Sequence, residues 1–461
     1  MMPADIARGV REAWSGLRPE IVALFAELWT MPEMPGMEFQ SAERLARFLE
    51  DHGFQVERGA CGLPTAFIGR KGAGGGPRIG ILAEYDALPG LDNEAVPYRQ
   101  GTGRKPGHGC GHNHIGPANA GAGIAAALAA ERLGVAGEIV VIGCPAEEIL
   151  WGKLALQQAG AFHGLDAILT SHGDYQNGAL SRPCHAACAG EFVFRGDSAH
   201  GGKATSRNAL GAAEEAIATF KALCEERFGD SQFRHVFRMA GIMPGVTPDE
   251  VRVWCSLRHA DYEAMLGVYE AMVESFAASA GRERTGFEHK FISACRGYLP
   301  NDTLGRVLAG CLERVGPPQW APEDIAWMRE LSAVATPGEP FNLHRELAYF
   351  DTDIDYYAQD DGDLSWAVPL GRVNWAYPAG VPIHHWAWTA LSGHTSSTPG
   401  PLMASEALAL TAVELLTRPD LIAAAKDELA TRVSGRTITT RVTGVAPIMI
   451  ADPLAFWEAR W

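Results

Sequence analysis

Cys110 and His112 stand two apart in Gly107-His108-Gly109-Cys110-Gly111-His112-Asn113. Both side chains can enter one cavity if the backbone between them turns sharply, and the glycines permit that turn. A thiolate and an imidazole are good ligands for a borderline-soft divalent cation such as zinc. The loop reads as half of a metal site. Glu147-Glu148 is the second feature: one of two adjacent carboxylates can coordinate a metal while its neighbour accepts a proton from the attacking water. His172 is a natural further ligand.

Each piece has a plainer explanation when taken alone. A Cys-x-His pair is often structural, and paired glutamates suit a solvated helix start. Their placement argues for chemistry. Residues 78–83 read as a buried strand running into Glu84-Tyr85-Asp86, and residues 137–143 as another ending at Cys144-Pro145-Ala146-Glu147-Glu148. A third strand, 166–170, ends at Ser171-His172-Gly173. In an open α/β sheet, the carboxyl ends of the strands are where sites form. Between the first two strands lies a helix over 115–133, whose glycine- and alanine-rich face lets it lie close to a sheet.

From residue 184 the texture changes to a strand (191–194), a helix (208–228), two strands (235–242 and 251–258) and a helix (262–279). This order predicts a small α+β layer inserted into a larger domain. Helices follow over 303–315 and 322–334, then an acidic, aromatic loop over 351–366, a strand near 373–377, and helices over 404–416 and 420–433.

A chain of 461 residues is too long for one ordinary core and predicts two domains, or one domain carrying an insertion. A net charge of -16 argues against nucleic-acid binding and means that any substrate carboxylate must be met by local cations. The nine scattered cysteines predict reduced thiols in a cytoplasmic setting. Residues 1–30 read as an amphipathic helix, not a signal peptide, and no run is long enough to span a bilayer. No membrane partner is expected.

The order Cys110-x-His112, Glu147-Glu148, His172, joined to Glu84-Tyr85-Asp86-Ala87-Leu88 and Asp361-Gly362-Asp363-Leu364-Ser365-Trp366, resembles the dinuclear metallopeptidase family of carboxypeptidase G and the aminoacylases. The resemblance is to its aminobenzoyl-glutamate hydrolase branch in particular, and it runs over nearly the whole chain. It implies an α/β fold: a catalytic domain with a mostly parallel central sheet flanked by helices, made of residues 1–183 and 298–461. An inserted α+β (ferredoxin-like) dimerisation or lid domain would occupy 184–297. The resemblance further implies that Cys110, His112, Glu148 and His172 are metal ligands and Glu147 the general base. In the lid, His200 matches a family histidine in Asp197-Ser198-Ala199-His200-Gly201. His235 is similar to the histidine that reaches a neighbouring subunit's site, and Arg258 is placed to meet a substrate carboxylate as a fork. His384, with His385, is assigned to the substrate pocket. The implied cofactor is a divalent metal, manganese or zinc, with one or two ions per chain, and the implied assembly is a homodimer or higher homo-oligomer.

Two departures stand out. The family's last metal-binding histidine maps to Thr398 in Gly393-His394-Thr395-Ser396-Ser397-Thr398-Pro399-Gly400. Threonine is a poor ligand for such a metal. Either His394 substitutes through a shifted loop, or the second site is weak and the enzyme mononuclear. The other departure is Gly245, where the family has a substrate-contacting asparagine.

The expected activity is metal-dependent hydrolysis of a C–N bond in a small carboxylate-bearing aromatic substrate. The alternatives are hydrolytic deamination of an aromatic amine, as in the nitroanthranilate aminohydrolases, and a non-catalytic metal-binding relative. Cys184-His185 with Cys188 lacks a fourth ligand and reads as ordinary thiols. The acidic run 351–363 lacks the spaced ligands of a calcium loop and reads as solvated or helix-capping.

Overall fold

The continuous apolar runs of the sequence become the middle of a sheet. In the computed structural model, which describes residues 3–179, 182–201, 207–349 and 353–443, the strands Gly137–Cys144, Arg78–Glu84, Ala167–Asp174 and Leu370–Ala376 lie side by side and parallel. Parallel strands covered on both faces need apolar residues at successive positions rather than at alternate ones. Leu370–Ala376 is accordingly buried throughout, and Arg78–Glu84 everywhere but at its first residue. Phe67–Gly74 and Gln55–Arg58 continue the sheet on one side, Asn177–Ala179 and Leu347–Tyr349 on the other, giving eight strands.

The helix His112–Leu133 starts at the Cys110-x-His112 motif and packs on this sheet, against the helices Ala4–Trp29 and Pro399–Thr417. Its small residues set how near it comes. A Cβ on Gly121 would lie 2.4 Å from Cδ1 of Ile21, and one on Gly123 would lie 2.4 Å from Cγ2 of Val141. The helix Pro399–Thr417 begins five residues before the expected 404, because Pro399 is tolerated at a first helical position.

A second, antiparallel sheet runs in the order Arg441–Val442, Gly286–Cys295, Ala186–Arg195, Glu250–His259, Gln232–Met239. The helices Ala209–Arg227 and Tyr262–Arg282 cover it, and Phe192, Phe194, Phe220 and Phe276 form the centre of its own apolar cluster. The strand Gly286–Cys295 escapes a reading by periodicity because Glu288, His289 and Lys290 interrupt its apolar pattern. His289 nevertheless stacks on Phe192 (5.1 Å) and meets the hydroxyl of Tyr269 at 2.5 Å.

The acidic run is solvated at Asp353, as expected, but its later part departs from the solvated or helix-capping role. Asp351 and residues 444–461 lie outside the described residues, but Asp360, Asp361 and Asp363 are buried, each against its own cation. Asp360 pairs with Lys153, Asp361 with Arg372 at 2.5 Å, and Asp363 with Arg296 at 3.2 Å. Burying a carboxylate is costly unless a partner compensates it, and the cations sit too far off in sequence for the run itself to reveal them. No helix among the described residues is long and apolar enough to cross a membrane.

Candidate active site

Gly111 adopts a left-handed φ of 80° between Cys110 and His112, and a Cβ there would come 3.3 Å from the indole nitrogen of Trp388. The turn inferred from the glycines is thus real, and both flanking side chains are buried. Nδ1 of His112 donates to Asp86 at 2.8 Å, which turns Nε2 inward. Nδ1 of His172 donates to the carbonyl of Gly173 at 2.7 Å, and its Nε2 lies 3.6 Å from the Cys110 sulfur. Outer hydrogen bonds of this kind hold metal-ligating imidazoles in one tautomer and orientation. The strand carrying His172 runs on to Asp174, so this histidine projects from within the strand rather than from the loop beyond it.

Glu147 and Glu148 sit on a single 3-10 turn bounded by two non-glycine residues of positive φ, Ala146 (55°) and Leu150 (54°). Such backbone is strained and persists where the surroundings over-determine it. Here Glu38 accepts from the N–H of Ala146 at 2.9 Å, and Asp86 accepts from that of Glu148 at 3.0 Å. Asp86 thereby orients His112 and Glu148 together.

His384 completes the cluster. It has a φ of 56°, its N–H donates to the carbonyl of Gly109 at 2.9 Å, and its Nε2 lies 3.2 Å from Glu148. Thr398 instead donates to the carbonyl of Thr395 and precedes a helix, while His394 stacks on Trp327 at 3.9 Å. Among the described residues neither shares a donor group with Cys110, whereas His384, assigned from the sequence to the substrate pocket, does.

Among the described residues, three groups have donor atoms within 4.8 Å of one another: Cys110, His112 and His172; Cys110, Glu148 and His384; and Glu84, His112 and Glu147. Nε2 of His112, Oε2 of Glu84 and Oε1 of Glu148 are buried without a hydrogen-bond partner. Buried polar atoms are seldom left so, and a thiolate, imidazoles and carboxylates suit a borderline divalent cation. The residues present fit a metal.

The charges are arranged accordingly. Burial and Glu148 push the Cys110 thiol up, but His172 and His112 outweigh them and hold it at about 6. Burial also opposes ionisation of Glu148, yet His384, His112 and His172 bring it down to about 2. Glu148 in turn lifts His384 to about 11 against its burial. Glu147 goes the other way: burial raises it well above the usual carboxylate range, with Glu84 and Asp360 adding to the shift and Lys153 opposing it.

A cavity of about 810 Å³ opens onto Cys110, Glu147, Glu148, His172 and His384, and its far wall is the second sheet. That wall brings in His235, which stacks on Phe233 at 5.5 Å, and Arg258, which donates to the carbonyl of Tyr356 at 3.2 Å. His200 is not brought to the cavity: it is exposed on a two-residue strand paired with Val246–Thr247. The Cys184 sulfur accepts from the N–H of Tyr298, and Cys188 is buried in a strand, as expected for core thiols. Glu38, Glu84, Asp86 and Lys153 were absent from the candidate set. Glu84-Tyr85-Asp86 directly follows a predicted strand and carried a usable signal, whereas Glu38 and Lys153 carried none.

Fold and site together define a metal-dependent hydrolase of amide C–N bonds. The chain is 30% identical over 457 residues to a component of the p-aminobenzoyl-glutamate hydrolase of Escherichia coli (strain K12), covering 92% of this chain and 95% of the relative. The fold matches an aminobenzoyl-glutamate utilization protein from Klebsiella pneumoniae with a TM-score of 0.61 at 18% identity, over 88% of this chain and 98% of that one. It also matches a dinuclear metal-binding peptidase of the M20 family from Bacillus subtilis, with a TM-score of 0.57 at 19% identity over 87% and 99%. No family model matches the sequence. The chain belongs to the metallopeptidase family of carboxypeptidase G and the aminoacylases, alongside the aminobenzoyl-glutamate hydrolases.

Proposed function

We propose that the chain hydrolyses the amide between an aromatic acyl group of aminobenzoyl type and an amino acid, using two divalent ions, manganese or zinc. One observation carries this reading: two donor groups share Cys110, while Glu147 borders the same cavity and belongs to neither. Cys110, His112 and His172 would hold one ion, and Cys110, Glu148 and His384 the other. When bound, such a metal lowers the pKa of water and polarises a carbonyl.

Glu147 accepts a proton from the water attacking the amide carbon, then passes it to the leaving nitrogen as the C–N bond breaks. Its raised pKa suits a group that must hold that proton between the two steps. Arg258 offers its fork to the substrate carboxylate, and His235 contacts substrate from the same wall. Trp254, Tyr357 and Trp388 give the cavity flat apolar surface for an aromatic ring.

Residues 184–297 act in this reading as an inserted ferredoxin-like dimerisation domain. The edge strand Gln232–Met239, with Val236 and Phe237 exposed, supports a homodimer through that sheet. Nine free cysteines support a reducing cytoplasmic setting. The rival reading, displacement of an amino group from an aromatic ring, drew on a depleted second metal site. With His384 beside Glu148 that argument falls away, and only Gly245 still favours it.

Metal-reconstituted protein tested on aminobenzoyl-amino acids and on amino- and nitro-substituted benzoic acids decides between them. Release of an acid and an amino acid, without ammonia, is expected. Ammonia from a free aromatic amine overturns the amide reading, and a metal-loaded chain that turns over neither panel favours a non-catalytic relative.

A further inference from the structure

Lys153 has no exposed side-chain surface. Its ammonium lies 2.9 Å from Oε1 of Glu84 and pairs with Asp360, whose other oxygen accepts from the Lys153 N–H at 2.8 Å. A buried ammonium is costly unless carboxylates compensate it, and these two do. What the cation accomplishes follows from the part of Glu84 it leaves free. Oε2 of Glu84 is buried without a hydrogen-bond partner, as is Nε2 of His112, and the two lie 3.7 Å apart. With an oxygen of Glu147 they form the third donor group. Two carboxylates and an imidazole make a competent divalent site. An ion seated there would take Glu147 as a ligand and draw His112 away from Cys110.

We propose that Lys153 is a resident cation that closes this third group to metal and so keeps Glu147 unliganded. The ammonium on Glu84 supplies the positive charge that a metal would otherwise bring, and like charges at such separations repel strongly where water is excluded. Lys153 is a positioning residue: it acts on the base through Glu84 and touches no substrate. The inference rests on reading Glu147 as the base, but its test rests on counting ions.

Metal-free wild-type protein, Lys153→Met and the double variant Lys153→Met/Glu84→Gln are titrated with cobalt(II). Bound metal is measured by elemental analysis, and the thiolate-to-cobalt absorption reports ions on Cys110. Lys153→Met is expected to bind one further equivalent, and the thiolate band to shift as His112 leaves the ion on Cys110. Its kcat should fall about 100-fold, with KM changed far less, because a liganded carboxylate no longer accepts a proton. The double variant removes a ligand together with the charge imbalance and is expected to return to the wild-type stoichiometry. Should Lys153→Met fail to fold around an unpaired Asp360, Lys153→Met/Asp360→Asn carries the same expectation of an extra equivalent. Wild-type stoichiometry in the folded lysine variants, or an extra ion that survives Glu84→Gln, overturns the proposal. A wild-type chain that binds metal but cleaves no amide overturns the proposed function and leaves the ion count to be judged separately.

Discussion

Nε2 of His384 lies 3.2 Å from Oε2 of Glu148, which ties the C-terminal segment to the turn that carries the carboxylate pair. Both residues share a donor group with Cys110. His384→Ala is expected to lose one ion per chain by elemental analysis. Its kcat should fall on the order of 100-fold, since a catalytic metal supplies several kcal/mol. His394→Ala and Thr398→Ala should bind metal like wild type. Metal loss in His394→Ala instead would return the ligand role to the shifted loop.

Glu147→Gln keeps the shape of the side chain and removes its capacity to accept a proton. A kcat reduced by about 10²- to 10⁴-fold is expected with bound metal unchanged. Single-turnover kinetics and elemental analysis on one preparation check both halves, and retained turnover would sink the assignment.

Asp86 serves His112 and Glu148 at once, with contacts of 2.8 and 3.0 Å. Replacing a partner of this kind weakens metal affinity by about 10- to 100-fold. Competition against a chelator should reveal that loss in Asp86→Asn, accompanied by a drop in kcat.

Burial, with Asp86 alongside, pushes the Glu38 carboxyl up to about 8 from its ordinary 4.5, and hydrogen bonding from Gly36 offsets this only in part. A carboxyl whose folded pKa is raised contributes stability that is fully present below 4.5 and is lost as pH rises through about 8. Gln cannot ionise and retains an acceptor for Ala146. The Tm advantage of wild type over Glu38→Gln, measured on metal-free protein, should therefore shrink from about pH 5 to about pH 9. A gap that does not move with pH would refute the buried neutral carboxyl.

Gly123 has no room for a methyl group against Val141. Gly123→Ala should cost about 1–3 kcal/mol in denaturant unfolding through overpacking. Gly134→Ala is a different case: nothing lies within 4 Å of its Cβ, but its φ of 65° makes the cost one of backbone strain.

Residue order was enough to establish the sheet's central strands, the glycine-permitted turn between Cys110 and His112, and the arrival of Glu147, Glu148 and His172 near one end of the sheet. These features are local: apolar runs record burial on both faces, and a motif of a few residues carries its own backbone geometry. Folding was needed to establish that His384, not Thr398 or His394, faces Glu148, that His200 stays outside the cavity while His235 and Arg258 line it, and that Asp360, Asp361 and Asp363 are interior anchors. It also placed Lys153 behind Glu84. Each of these depends on a partner distant in the chain, and a side chain's role as ligand, wall or counter-charge is fixed by what folding brings against it. Periodicity carries no record of that.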